Sequence, residues 1–135
     1  MENNNYSIKS LRASSVLTGS YVAGTVYSPQ GLSPKQDPVN NNQLILYVGF
    51  TIGSLTSAEL KIEFSDDGTN YYQETTSSVS SGVSTDKLTE HKLEATGNYR
   101  IALPICDRYI KVSVKGTGTV TNSLLAIDAI VANRI

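Results

Sequence analysis

Residues 58–72 read AELKIEFSDDGTNYY, and this stretch decides the fold class. Its first seven residues alternate, with Leu60, Ile62 and Phe64 on one side of an extended chain and charged residues between them. Alternation with a period of two is typical of a strand with one buried and one solvated face. The Ser-Asp-Asp-Gly-Thr-Asn segment that follows offers a carboxylate to cap a turn and a glycine for positive φ, so it predicts a hairpin.

The same period recurs along the chain, and no helical period of apolar residues is sustained. Tyr109–Lys115 alternates in the same way, with its isoleucine and valines inward. Leu44–Ile52 is apolar on both faces, which predicts a central strand or one whose second face a partner covers. Further strands are predicted at Tyr6–Leu11, Ser20–Tyr27, Tyr71–Thr75, Lys87–Leu93, Tyr99–Leu103 and Thr119–Val131. We therefore predict one all-β domain over the whole chain, an antiparallel sandwich or jelly roll of about eight strands.

Three segments depart from this rhythm. Ser28–Gln43 contains three prolines and three consecutive asparagines, so it cannot pair as a central strand and is expected to be an extended loop. Thr75–Thr85 is rich in serine and is expected to be a flexible polar loop. Residues 1–19 begin with an asparagine-rich stretch and are a candidate N-terminal arm. We expect such arms to order against a neighbouring subunit.

The composition limits the class of partner. Ser, Thr and Asn make up 40 of the 135 residues, charged residues make up 17%, and the formal net charge is -1. Without a net positive field, we expect no binding of nucleic acid or of an anionic membrane. The first residues lack the basic and apolar regions of a secretory signal, and no apolar run approaches the roughly 20 residues that span a bilayer. We therefore expect a soluble protein that is made in a cytoplasm.

One cysteine and one histidine limit the chemistry. One cysteine cannot form an intramolecular disulfide, and the two residues cannot complete a four-ligand zinc site. Cys106 lies among apolar residues, far from His91 in sequence, so we interpret it as an inert thiol. Asp86, Glu90 and Glu94 are evenly spaced, but a solvated strand gives this arrangement without catalysis. We therefore expect no catalytic residue, cofactor or resident metal, and predict that the protein is not an enzyme.

The predicted hairpin turn offers two alternative ligand sites. Asp66, Asp67 and Asn70 could bind calcium through oxygen atoms, but the turn lacks the spaced acidic residues of a calcium loop, so calcium is a weak alternative. Tyr71 and Tyr72 must point to opposite faces, so one of them at most is available to stack on a sugar. Because the chain has no tryptophan, a core or contact role is the stronger interpretation.

Asp128 interrupts an otherwise apolar run, Leu124–Val131. Either a bulge turns this carboxylate outward, or it pairs with a basic group such as Arg100 or Arg108. We interpret Asp128 as part of a structural ion pair or a subunit contact rather than as a catalytic residue.

Three stretches, residues 42–48, 60–72 and 108–118, together resemble small β-sandwich virion proteins of tailed bacteriophages. In such proteins a strand that ends in a Ser-Asp-Gly-x-Asn-Trp/Tyr-Tyr hairpin is followed by a Tyr-Ile-Lys-Val strand and a long closing strand. Tyr71 stands where many of these proteins have tryptophan, which weakens the case for a sugar platform. The resemblance implies a non-enzymatic structural role in the particle.

Within that role we expect a capsid cement or decoration protein that bridges copies of the major capsid protein, in a virion assembled in the bacterial cytoplasm. The expected partners are the major capsid protein or other virion proteins and further copies of this chain, with a trimer as one candidate form. A neck, head–tail connector or tail accessory protein is the first alternative, and a carbohydrate-binding module is the second. The candidate contact residues are Pro29, Leu32, Pro34, Pro38, Tyr47 and Tyr72.

Overall fold

The computed structural model describes residues 5–28, 43–104 and 107–133, and the side chains within 8–28, 43–104 and 107–130. These ranges contain strands and no helix, and thus no helix that could cross a membrane. The strands are β1 (Asn5–Ser15), β2 (Val22–Ala23), β3 (Gln43–Thr51), β4 (Leu55–Ser65), β5 (Tyr72–Gln73), β6 (Thr75–Ser80), β7 (Val83–Leu88), β8 (His91–Leu93), β9 (Gly97–Pro104), β10 (Tyr109–Gly118) and β11 (Leu124–Asn133). The all-β prediction is confirmed.

The strands form two main sheets with antiparallel pairing throughout. Sheet A has the order β1-β11-β3-β9, and sheet B has the order β2-β10-β4-β5, with β8 also paired to β4. β5 and β8 pair with successive parts of β4, and the hairpin β6–β7 is inserted between them. When β5 and β8 are counted as one interrupted strand, each of the two sheets contains four strands, and among the described strands β4 with its hairpin partner is the one consecutive pair in the same sheet. This arrangement is the jelly roll that the strand spacing predicts.

The core lies between the two sheets and consists of the inward side chains of both. In β4, Leu60 and Ile62 are fully buried, and the inward residues of β10 are no more than 2% exposed. In β3, Leu44, Leu46 and Val48 are buried in the same way. Because such interiors are close-packed, replacing one of these leucines by alanine costs about 2–5 kcal/mol.

The prediction of a flexible loop over Thr75–Thr85 is wrong. The segment folds as the β6–β7 hairpin, in which Ser80 is paired with Val83 across a two-residue turn. Ser81 has a φ of 51° and Gly82 a φ of 76°. Two successive residues with positive φ match the right-handed twist of a strand pair, which is why this turn closes a hairpin.

Other predicted strands differ at their ends. Lys87–Leu93 is interrupted, because Thr89 N donates to Glu74 O at 2.8 Å and leaves β8 as a separate strand. Ser20–Tyr27 shortens to β2 and one bridge from Tyr27 to Ile110. Residues 5–15 of the candidate N-terminal arm form the edge strand β1. Residues 29–42 of the predicted extended loop lie outside the described residues.

Candidate interaction surface

The outer side of sheet A presents a broad surface to solvent, which we call face A. It carries the side chains that alternate with the core residues of β1, β3, β9 and β11. β3 lies in the interior of the sheet, between β11 and β9, as predicted from its two apolar sides. Within the described ranges no strand packs over face A. As far as the described residues extend, the second apolar side of β3 therefore faces solvent.

One row across face A is entirely apolar. Ile8 pairs with Ile130, Ile130 pairs with Ile45, and Ile45 pairs with Ala102, so the row crosses all four strands. Ile8 is 71% exposed, and at another point of the face Leu124 is 43% exposed. An apolar row of this length on a small domain is typical of a surface that contacts protein.

The neighbouring row combines an aromatic ring with two opposite charges. Tyr47 is paired with Asp128 on one side and with Arg100 on the other, and Ser10 completes the row beside Asp128. Tyr47 is 42% exposed, and both charged residues are exposed. The two charged residues are separated by two strand spacings, or about 10 Å, so the row places a positive and a negative group symmetrically about the ring.

Neither mechanism expected for Asp128 accounts for its outward direction. The bulge lies on β1, between Ser10 and Arg12, and the alternation of β11 is regular. Arg100 is on the same row but lies beyond Tyr47, and Arg108 precedes β10 in the other sheet. Asp128 points outward because that side of sheet A is open, which leaves the subunit-contact interpretation in place.

A shallow groove runs along β3 beside Tyr47. A cavity of about 510 Å³ is lined by Tyr47, Gly49, Asn98, Arg100 and Asp128 among others. A second cavity, of about 350 Å³, shares Gly49 and Asn98 with it and continues toward the end of the strand. A Cβ atom at Gly49 would meet only the Asn98 Oδ1 atom, at 3.8 Å. Because Gly49 has no side chain, nothing protrudes from face A at this position.

The β6–β7 hairpin is a second exposed apolar surface. Val79 and Leu88 lie on one side of this ribbon and are 72% and 65% exposed, whereas Val83 lies on the other side and is 63% exposed. At the base of the hairpin, Gln73 Nε2 donates to Thr89 O at 2.9 Å. A two-stranded ribbon is marginally stable by itself in water. The apolar side chains on it are consequently available to a neighbouring molecule.

The structure does not bring the two candidate tyrosines together. Tyr47 lies on sheet A, whereas Tyr72 lies in β5 of sheet B and is 71% exposed. The ring of Tyr71 packs instead under Lys111, whose Nζ atom is 4.1 Å from the ring centroid. Pro29, Leu32, Pro34 and Pro38, the other candidate contact residues, lie outside the described residues.

The turn around Asp67 uses its carboxylate internally. The Oδ1 atom accepts hydrogen bonds from Thr69 N and Asn70 N, each at 2.8 Å, and from the Ser65 hydroxyl at 2.9 Å. The Oδ2 atom accepts from the Asn70 side chain at 2.8 Å. The backbone donors of Asn70 and Thr69 hold the pKa of Asp67 well below its usual range. These bonds engage Oδ1 of Asp67 three times and Oδ2 once, so the carboxylate, one of the weak calcium candidates with Asp66 and Asn70, already stabilises the turn.

A depression of about 590 Å³ adjoins this turn and is lined by Asp66, Tyr72 and Asp107 among others. Burial, followed by the charge of Asp66, raises the pKa of Asp107. Within the described ranges, no group of three or more His, Cys, Asp or Glu residues is arranged to hold a metal ion.

The outer side of sheet B differs from face A because its polar groups are paired with each other. The Nζ atoms of Lys61 and Lys115 lie 4.7 Å and 4.8 Å from the ring centroid of Tyr21. The Tyr21 hydroxyl donates to Glu90, and burial followed by this contact raises the pKa of Tyr21. Sequence reasoning missed this cluster, because nothing in the residues before β2 shows that Tyr21 lies over β4 and β10.

The residues weighed for catalysis are separated. His91 is half-buried, and its Nε2 atom lies 3.0 Å from Glu74 Oε1. Asp86 accepts from Ser77 in the hairpin, and Glu90 accepts from Tyr21. Cys106 lies outside the described residues.

No family model matches the chain, and no curated protein matches it. Among solved structures, a chain of the disulfide-linked pili of Bacillus endospore appendages matches 97% of this chain and 90% of that chain, with 9% identity and a TM-score of 0.46. A chain from a structure of infectious bursal disease virus, Gx strain, matches 96% of this chain with 9% identity and a TM-score of 0.51. This chain spans 32% of the viral chain. At this identity the viral match shows a shared fold alone.

Proposed function

We propose that this chain is a non-enzymatic structural protein of a bacteriophage virion, a capsid cement or decoration protein that bridges copies of the major capsid protein. One observation carries the proposal: two separate apolar surfaces, face A and the β6–β7 hairpin, are exposed on one small domain. A subunit with two such surfaces can contact two neighbours at once, which bridging requires. The partners are the capsid protein and further copies of this chain, on a particle assembled in the host cytoplasm.

The fold is compatible with this function without deciding it. Jelly rolls occur in viral capsid proteins and also in lectins and cupins. Function must therefore be argued from the surfaces. The groups that reactive chemistry would need, such as His91 and Asp67, form hydrogen bonds that stabilise turns and strand ends. The exposed apolar groups have no comparable role among the residues that the structure describes.

Reconstitution tests the proposal. Capsids assembled without this chain would be mixed with the purified chain, and bound protein would be measured by co-sedimentation and capsid disruption by heating. We expect saturable binding and a higher disruption temperature. Replacement of Val79, Val83 and Leu88 by threonine should weaken binding, while threonine at the already polar Ser78 serves as the matched control. Absence of co-sedimentation would contradict the cement role.

A neck or tail location is the alternative that uses the same surfaces. Copy number separates the two, because a decoration protein is present in hundreds of copies per particle and a connector protein in far fewer. Quantitative mass spectrometry of virions measures this number directly. A chain absent from virions would contradict both locations.

The exposure of Tyr72 favours a second function, carbohydrate binding. A tyrosine that is 71% exposed beside a polar depression can stack on a sugar ring. A glycan array probed with wild type, Tyr72→Ala and the matched control Tyr47→Ala tests this. Binding that only the Tyr72 substitution removes would support a carbohydrate-binding module.

A further inference from the structure

Face A has a charge pattern that is complementary to itself. Asp128 on β11 and Arg100 on β9 flank Tyr47 at one strand spacing each, about 4.8 Å. Both side chains are exposed, and the ion pairs formed among the described residues involve other groups. One acid and one base therefore lie at equal distances from the middle of an uncovered sheet surface.

A two-fold axis parallel to β3 and above Tyr47 exchanges the two sides of this surface. It places β9 of a second copy over β11 of the first, and β11 of the second over β9 of the first. Asp128 of each copy then faces Arg100 of the other. We propose that face A is the interface of a two-fold homodimer, with Tyr47 at the axis and these two reciprocal ion pairs beside it.

The remaining rows fit the same axis. Ile130 comes opposite Ala102 of the second copy, and Ile45 comes opposite its own symmetry mate, so the apolar row meets an apolar row. Gly49 also meets its mate, and its missing side chain lets the two sheets approach. An axis perpendicular to the strands would instead place Asp128 against Asp128, which is repulsive. The charges thus select one of the two face-to-face arrangements.

The dimensions permit this packing. Stacked sheets lie about 10 Å apart, a gap that an arginine and an aspartate side chain can cross together. With the axis above β3, the strands β11, β3 and β9 of the two copies overlap and β1 lies outside the overlap. Three strands and the length of β3 give a footprint of roughly 400 Å² per copy. Such an interface lies at the low end of the range for specific protein pairs. We therefore expect a dimer that dissociates measurably on dilution.

Sedimentation equilibrium of the full purified chain tests the proposal. Wild type should sediment as a dimer, whereas D128R and R100D should each associate at least about tenfold more weakly, because each places like charges together. The decisive sample is the mixture of these two variants. In the mixture, two basic residues of D128R face two acidic residues of R100D, so the two variants should form a heterodimer. The double variant D128R/R100D exchanges the charges within each copy and should again form a homodimer.

K87E, a charge reversal of equal size in the hairpin, is the control and should dimerise like wild type. Circular dichroism of each variant shows whether it is folded, which we expect because both positions are exposed. A monomeric wild type, a trimer, or a mixture that does not associate overturns the proposal. The dimer rests on the proposed function, in which copies of this chain contact each other. The sedimentation experiment, however, contains no capsid. Its failure is therefore distinguishable from a failure of the cement role.

Discussion

The hydroxyl of Thr117 on β10 donates a hydrogen bond of 2.6 Å to the carboxylate of Glu59 on β4. Glu59 is only 8% exposed, and its other carboxylate oxygen accepts from Ser57 at 2.5 Å. Lys115 lies directly opposite Glu59 in the strand register. The buried carboxylate of Glu59 therefore accepts two hydrogen bonds and has a lysine on the neighbouring strand. The hydrogen bond from Thr117 links β4 to β10, the two central strands of sheet B.

The first prediction concerns this carboxylate. Glu59→Ala should lower the free energy of unfolding by about 1–3 kcal/mol, because it leaves the hydroxyls of Ser57 and Thr117 without their acceptor. Thr117→Val removes one donor and should cost about 1 kcal/mol. Urea unfolding of both variants and of the double variant measures the coupling. Strictly additive losses would contradict a direct bond between the two side chains.

The second prediction compares two glycines with similar backbone angles. Gly53 has a φ of 56° and Gly82 a φ of 76°, but a Cβ atom at Gly53 would lie 2.5 Å from the Asn122 carbonyl oxygen, while Gly82 has nothing within 4 Å. Gly82→Ala should therefore cost only the backbone penalty, about 1 kcal/mol. Gly53→Ala should cost clearly more. Chemical denaturation measures both, and equal losses would show that the contact is unimportant.

The strands that could be predicted from the sequence are those with one buried face. In β4 and β10 one side packs in the core, so apolar residues stand at every second position. This period of two is recognisable in the amino-acid sequence. The β6–β7 hairpin has no buried face and thus no period. The dipeptide Ser81-Gly82 was the available signal, because serine followed by glycine marks a turn.

The interaction surface could be predicted only in part. The two apolar sides of β3 predict a central strand or one whose second face a partner covers, and in the structure Tyr47 on its outer side is 42% exposed. The relation between Asp128 and Arg100 depends on which residues of three strands are aligned. The register between strands that are far apart in sequence is fixed by the packing of the whole sheet. It therefore cannot be predicted from the residues next to Asp128 or Arg100 in the sequence.

The third prediction concerns the motion of the hairpin. The amide hydrogens of β6 and β7 should exchange with solvent much faster than those of β4 and β10, because the hairpin has no apolar layer beneath it. Hydrogen exchange measured by mass spectrometry at peptide resolution tests this. Addition of capsids lacking the chain should slow exchange in the hairpin if it is the capsid contact. Protection of the hairpin in the isolated chain would contradict its assignment as a free surface.

The last prediction concerns two carboxylates whose pKa values move in opposite directions. The pKa of Asp67 is lowered in the folded state, so its stabilising contribution is present above the unfolded pKa and is lost as the pH falls through the acidic range. The pKa of Asp107 is raised, so its contribution is present at low pH and is lost as the pH rises. Asp67→Asn should therefore lower the melting temperature most at neutral pH, with a smaller difference from wild type in acid. Asp107→Asn should raise the melting temperature at neutral pH, with an effect that also shrinks in acid. Thermal unfolding of wild type and both variants from about pH 7 to about pH 2.5 measures these differences. Two variants that shift the melting temperature in the same direction at neutral pH would contradict the opposite environments of the two carboxylates.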